Sequence, residues 1–288
     1  MKDIIINKNE DGSNLIALVE NGKLIEKYDD DESIKANEGN IYCGIVRDLL
    51  PGMQSAFVDI GEDKNAFIHI KDVIPKVSNV TGNKDENLEK YKIKDYLKVN
   101  MPVLVQVKKS EENLKGARVS THINLPSKYI ALMPNTDIIT ISQKIEDKKE
   151  QERLIKLVKE NLSQGNGAII RTSAVGKEKE IIEDIKNTEK RWDNIQKAFK
   201  NDTGKMPKLL EKAQSLVEKM IIDLPENSIQ KITVNSKREF DKIQNFKNQN
   251  NYLENATIEL KENEDALDKY DIKKEILKIL FSLVMRLA

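Results

Sequence analysis

Two small groups of residues in this chain are of types that bind rather than break bonds. Phe57 and Phe67 fall one on each of two successive alternating runs, Ala56–Ile60 and Ala66–Ile70. Turned inward they would fill a core. Turned outward they would offer two ring faces for single-stranded bases, at about 1–3 kcal/mol per base. Arg171-Thr172 directly follows the apolar stretch Ala168–Ile170. A strand there presents both side chains at its end, where a guanidinium fork beside a hydroxyl suits a terminal phosphate; the plainer role is an arginine capping a sheet edge. Only seven of the 48 basic residues are Arg and 41 are Lys. In so lysine-rich a chain an Arg suggests a position where the planar fork matters, and this singles out Arg171.

Residues for catalysis do not assemble in the same way. His69 and His122 are too isolated to form a metal site with Cys43, and a single cysteine allows neither an intrachain disulfide nor a thiolate cluster. Asp3, Glu20 and Asp59 are scattered, whereas Mg²⁺-dependent hydrolysis needs several carboxylates gathered around the ion. Ser, His and Asp do not cluster into a triad. The sequence nominates no catalytic residue and no metal ligand.

The aromatic pair needs strands to position it. Ile41–Val46, Ala56–Ile60 and Ala66–Ile70 alternate in polarity and are separated by Pro51-Gly52 and by Gly61–Asn65. With Val103–Lys109 and Ala117–His122 as closing strands they predict a small antiparallel barrel of the OB-fold kind. The polar stretch Val77–Lys94 reads as a mobile loop within it. Lys+Arg and Asp+Glu are both 48, and residues 38–122 carry thirteen basic and twelve acidic side chains. RNA binding must therefore rest on local placement and stacking, not on a broad basic field.

On either side of the barrel the texture differs. Asp3–Asn7, Asn14–Glu20 and Lys23–Tyr28 read as strands, the last two joined by an Asn21-Gly22 hairpin turn, and polar Asp29–Asn37 links them to the barrel. From Leu125 the pattern is mixed α/β, with short strands at Tyr129–Met133 and Ile138–Ser142, a helix over Asp147–Leu162 and a buried strand at Gly167–Arg171. Lys177–Lys200 carries Ile181, Ile185, Trp192, Ile195 and Phe199 near helical spacing. Pro207 is expected to open a further helix with Leu209, Leu210, Ala213, Leu216, Val217 and Met220 inward. Ile229–Val234, a helix over Phe240, Ile243 and Phe246, and Ala256–Leu260 complete a βαβ-like end. The first three strands have no second layer unless these later elements supply it, which predicts one domain split in sequence. MKDIIINKNEDG lacks the long apolar core of a signal peptide, so a cytoplasmic location is expected.

The wording is more specific than the pattern. GNIYCGIVRDLLPGMQSAFVDIGEDKNAFIHIKD, Gly39 to Asp72, resembles the OB-fold RNA-binding domain of the ribonuclease E/G family, and LLPGMQSAFVDIG is close to its hallmark. The resemblance continues through LPSKYIALMPN, ISQKIE, GAIIRTSAVG and the helix around Trp192, to about Ile272. It implies an α+β multidomain protein: an RNase H-like domain split over residues 1–37 and 216–275, an OB-fold RNA-binding domain over 38–122, and an α/β 5′-sensor domain over 123–215. It also implies that Phe57 and Phe67 stack on RNA. Lys115, in LKGA, matches an RNA-contacting position, with a solvated lysine as the plainer reading. Arg171 and Thr172 match the pocket that senses a 5′-monophosphate end, and Ala131 matches a small apolar residue lining it. One departure is Ser127, where the family usually has Gly before a KY or RY pair; a side chain there could narrow the pocket or remove a backbone approach.

In the resembled family hydrolysis resides in a DNase I-like domain beyond this segment, where two aspartates hold Mg²⁺ and a cysteine motif binds Zn²⁺ between protomers. Both cofactors are expected only in a full-length member. From Ile276 the chain reads ILKILFSLVMRLA, ten of thirteen residues apolar, which is expected to be an aberrant hydrophobic tail, too short to span a bilayer. The expectation is the N-terminal RNA-binding part of an endoribonuclease, inactive alone. Its partners would be single-stranded RNA and either a separately encoded catalytic portion or a second copy, with no membrane. The alternative is a non-catalytic OB-fold RNA-binding regulator; an active RNase H-like enzyme is disfavoured because its carboxylate set is missing.

Overall fold

The computed structural model describes residues 1–30, 37–74, 90–111, 115–201, 206–225, 227–249, 251–262 and 267. In chain order the elements begin with β1 (Lys2–Lys8), β2 (Asn14–Glu20) and β3 (Lys23–Asp30). β4 (Ile41–Leu50), β5 (Ser55–Asp59), β6 (Ala66–His69), the helical turn α1 (Ile93–Tyr96), β7 (Pro102–Lys109) and β8 (Arg118–Ser120) follow. Next come β9 (Leu125–Pro126), β10 (Ile130–Pro134), β11 (Ile139–Ile141), α2 (Lys148–Asn161), β12 (Asn166–Ile170), α3 (Lys179–Lys200) and β13 (Lys208–Glu211). The last are α4 (Leu216–Asp223), β14 (Ile229–Val234), α5 (Lys237–Gln249) and β15 (Thr257–Leu260). Most of the expected mobile loop Val77–Lys94 and the tail 276–288 lie outside the described residues.

The chain forms two compact units, Met1–Lys35 with Gln214–Ala288, and Ala36–Ala213. In the first, the strand order is β15-β14-β1-β2-β3. β14 lies parallel to both β1 and β15, while β2 runs antiparallel to both β1 and β3. β1 reads KDIIINK, and its Ile4, Ile5 and Ile6 are all fully buried, as a strand apolar on both faces must be. Ile4, Ile6, Ile16 and Leu18 face α4 and α5 through Val217, Ile221, Ile243 and Phe246. Ile5, Ala17 and Val19 face the other way, against Leu267. The β2–β3 hairpin turns on Asn21 and Gly22, both at positive φ (51° and 78°), which matches the twist of the flanking strands. The later elements thus supply the second layer that the first three strands lack.

In the second unit β4-β5-β6-β8-β7 closes into a barrel, because β7 pairs back on β4. Its interior is Val46, Ala56, Val58, Ala66, Ile68, Val105, Val107 and Val119, among others. It is not wholly antiparallel as expected: β6 and β8 run parallel at the Phe67–Arg118 pair. β11-β12-β10-β9 form a second sheet, covered by α2 and α3 through Leu154, Val158, Ile181, Ile185, Trp192 and Ile195. Ile41 of the barrel belongs to that same core.

The expected helix after Pro207 is corrected. Lys208–Glu211 is a strand on β4, and the helix starts only at Leu216. β5 reaches β4 no further than Ile45, so Ile41 to Cys43 need another partner on that side, which β13 provides. The helix start belongs to a capping box, with the Ser215 hydroxyl accepting from the Glu218 amide and the Glu218 carboxylate accepting from the Ser215 amide. That reciprocal pair outweighs the preference of proline for a first helical turn.

Candidate RNA interface

β5 and β6 are neighbours in register, with Phe57 opposite Phe67. Ala56, Val58, Ala66 and Ile68 point into the barrel and are fully buried, so the alternation of a strand sends both phenylalanines outward. Both are half-buried, and their rings meet edge to face at 6.3 Å and 69°. Such a pair is worth about 0.5–1.5 kcal/mol beyond its buried area and restrains each ring. Of the two roles open in the sequence, core filling is excluded.

The barrel's two arginines lie beside this pair, which sequence reasoning missed. Arg118 is exposed and is the register partner of Phe67; its Nη2 lies 2.8 Å from Asp72 Oδ2. Arg47 sits where β4 bulges between Val46 and Asp48. Its Nε and Nη2 donate to Asp59 Oδ2 at 3.1 and 2.6 Å, while Asp59 Oδ1 accepts from the Gly61 amide at 2.9 Å. The scarcity of Arg was the available signal, and it pointed at more positions than Arg171 alone.

Lys115 is exposed on the loop entering β8. The loop reaches the aromatic pair through its backbone, since the Phe67 amide donates to Ala117 O at 2.7 Å. Gly116 makes this possible: a Cβ there would lie 2.1 Å from Asn65 O, so only glycine lets the loop press on the Gly61–Asn65 turn. The histidines have structural uses. His69 accepts the Lys71 amide through Nδ1 at 3.3 Å, and burial, then Lys71 and Arg118 against the opposing pull of Asp72, hold its pKa below the usual value. His122 Nε2 lies 2.8 Å from Ile74 O.

The second group assembles at the end of β12. Ala131 on β10 is opposite Ile169 on β12 and is buried. Arg171 follows that strand, and Thr172, exposed, opens a helical turn over Thr172–Ala174. The Arg171 amide donates to Tyr129 O at 2.9 Å, and Arg171 Nη1 to Ser127 O at 3.3 Å. Ser173 Oγ donates to Lys128 O at 2.5 Å. Arg171, Thr172 and the loop leading to Ala131 are therefore together, 40 residues and more apart in sequence. Ser127 does not turn its side chain toward Arg171. Its Oγ lies 2.6 Å from Oδ2 of Asp184, a buried carboxylate on α3 that sequence reasoning also missed. The signal was present: Asp184 falls on the stripe of Ile181, Ile185 and Trp192, where an acid is out of place.

The turn after Thr172 is tied down from α2. Glu150 accepts from Arg153 Nε and Nη2 at 2.7 and 2.8 Å and from the Gly176 amide at 2.9 Å. These bonds hold its carboxyl at about 2, against a usual 4.5. A depressed carboxyl pKa stabilises the fold fully above the unfolded value and is lost as pH falls toward the folded one. Glu150→Gln should lower the melting temperature modestly at neutral pH and flatten its decline between about pH 4.5 and 2. Identical melting profiles for parent and variant across that window would refute the assignment.

Among the described residues no three His, Cys, Asp or Glu side chains converge as a metal site would require. Among the same residues no helix is long and apolar enough to cross a membrane.

A closed barrel with an outward aromatic pair is the architecture of an RNA-binding module, and residues 35–122 match a family model described as the S1 RNA binding domain. Residues 124–285 match the Ribonuclease E/G family model, and the chain belongs to that family. It is 32% identical over 269 residues to Ribonuclease G of Salmonella typhimurium, covering 92% of this chain and 54% of the relative. Ribonuclease G of Haemophilus influenzae is 34% identical over 232 residues, covering 80% and 47%. Ribonuclease E of Nostoc is 32% identical over 210 residues, covering 72% and 29%. The chain spans about half the length of the ribonuclease G relatives it matches. The family match also runs past Ile272, where the resemblance was expected to stop, and takes in most of the tail 276–288.

Proposed function

We propose that this chain is the N-terminal RNA-binding portion of a ribonuclease E/G-type endoribonuclease. The observation that carries this is the Phe57–Phe67 pair, in register and outward on a closed barrel. A single strand of RNA lies with bases on these rings and a phosphate near Lys115. Its 5′-monophosphate end is held by the Arg171 fork and the Thr172 hydroxyl over Ala131. The split unit is RNase H-like; its five-strand order, with only the second strand reversed, supports that reading. In this reading hydrolysis, with Mg²⁺ and Zn²⁺, belongs to a further portion, on a separately encoded chain or in a fuller assembly. This chain then binds RNA without cutting it.

The end-sensing part has its own test. One short RNA carrying a 5′-monophosphate or a 5′-hydroxyl should compete differently in fluorescence anisotropy, with a few-fold preference for the phosphate. A well-placed charged hydrogen bond contributes about 1.5–3 kcal/mol, but an exposed pocket realises only part of it. Arg171→Lys should remove most of the preference, since a point charge cannot reproduce the fork. Equal affinity of the parent chain for both ends would return Arg171 to a purely structural role.

A further inference from the structure

We propose that Asp184 is a positioning residue for the phosphate pocket, and that Ser127 is part of the same device. The proposal rests on the end-sensing reading of Arg171.

Asp184 is 4% exposed. Its Oδ2 receives the Ser127 hydroxyl at 2.6 Å, the Tyr129 amide at 2.9 Å and the Ile130 amide at 3.3 Å. The Ser127 hydroxyl also lies 2.9 Å from Ile130 O, but it has one proton, and the shorter contact with the acid takes it. A carboxylate withdrawn from water is costly unless hydrogen-bonded. Packing α3 on the sheet asks only for an apolar residue on this stripe, as Ile181, Ile185, Trp192 and Ile195 show. What the carboxylate adds is a hold on Ser127–Ile130.

That loop is held from its other side by the phosphate-binding segment. Ser127 O accepts from Arg171 Nη1, Tyr129 O from the Arg171 amide, and Lys128 O from Ser173 Oγ. Asp184 therefore orders from behind the carbonyls on which Arg171 and Ser173 rest. With Asp184 in place the guanidinium meets a fixed frame before any RNA arrives, so less ordering remains to be done on binding. Ser127 ceases to be an obstruction. Its hydroxyl is a third donor to the buried oxygen, which a glycine there could not supply.

Competition anisotropy with 5′-monophosphate and 5′-hydroxyl forms of one short RNA should be run on the parent, Asp184→Asn and Ser127→Ala, with hydrogen exchange of the Tyr129 and Ile130 amides alongside. Asp184→Asn should lose the phosphate preference while its affinity for the 5′-hydroxyl RNA, which reads the barrel, is unchanged. Its two loop amides should exchange faster while those of β12 do not. Ser127→Ala keeps the acid and both amides, so it should lose only part of the preference; it also decides the matter if Asp184→Asn fails to fold. A parent with a clear preference that both variants keep would overturn the positioning role, as would unchanged amide exchange. A parent with no preference would overturn the end-sensing reading itself, leaving faster exchange in Asp184→Asn as the mark of an architectural bond only.

Discussion

Phe57→Ala and Phe67→Ala should each weaken binding of a short single-stranded RNA by about 1–3 kcal/mol, the range for losing one base–aromatic stack. The barrel has no broad positive field to replace them, since residues 38–122 are nearly balanced in charge. Its two arginines are already engaged by Asp59 and Asp72. Stacking is left as the dominant attraction, and binding should respond only weakly to salt. The rings touch at 6.3 Å, so removing one also frees the other, and the double variant should lose less than the sum of the singles. Because Val58 and Ile68 carry the interior side of these strands, the alanine variants should melt near the parent temperature. Anisotropy on folded variants decides it, and variants that bind RNA as the parent does would place the site elsewhere on the molecule.

The fold was legible wherever a local pattern decides it. Alternation and turn residues located β4, β5 and β6, and the missing second layer of the first three strands pointed to later elements that would cover them. Longer-range facts were not legible. The parallel β6–β8 contact follows from closure of the barrel around a strand of three residues. β13 is a strand because β4 lacks a neighbour beyond the reach of β5, a shortage that Pro207-Lys208-Leu209 cannot display locally. The candidate site divides in the same way. A phenylalanine in an alternating run reads as core or as platform, and only the inward placement of Ala56 and Ala66 shows which way the rings face. Arg171 was visible as a rare arginine after an apolar strand. The loop it rests on lies 44 residues earlier and the acid behind that loop 57 residues later than Ser127, so Ser127 looked like an obstruction until its partner was known.

Gly167→Ala should damage the Arg171 end of the second unit, the proposed phosphate site, more than its single methyl suggests. Gly167 lies in β12, and a Cβ there would sit 2.2 Å from Ile138 O and 3.0 Å from both Ile138 C and Ile138 N. These are backbone atoms at the entry to β11, and Ile138 O accepts the Ala168 amide at 3.1 Å. No side chain can swing aside to relieve the clash; β11 and β12 must part, against the core contacts of Ala168 and Ile170. Overpacking of this kind costs about 1–3 kcal/mol and occasionally more, and for a chain of this size each kcal/mol lowers the melting temperature by about 2–4 °C. Gly52→Ala is the matched control, because nothing lies within 4 Å of its added methyl. Since β12 runs directly into Arg171, Gly167→Ala should also shrink the preference for a 5′-monophosphate while leaving affinity for the 5′-hydroxyl RNA to the barrel. Melting temperatures that match for the two variants would show that the β11–β12 contact yields freely, and that Arg171 is held by its loop rather than by its strand.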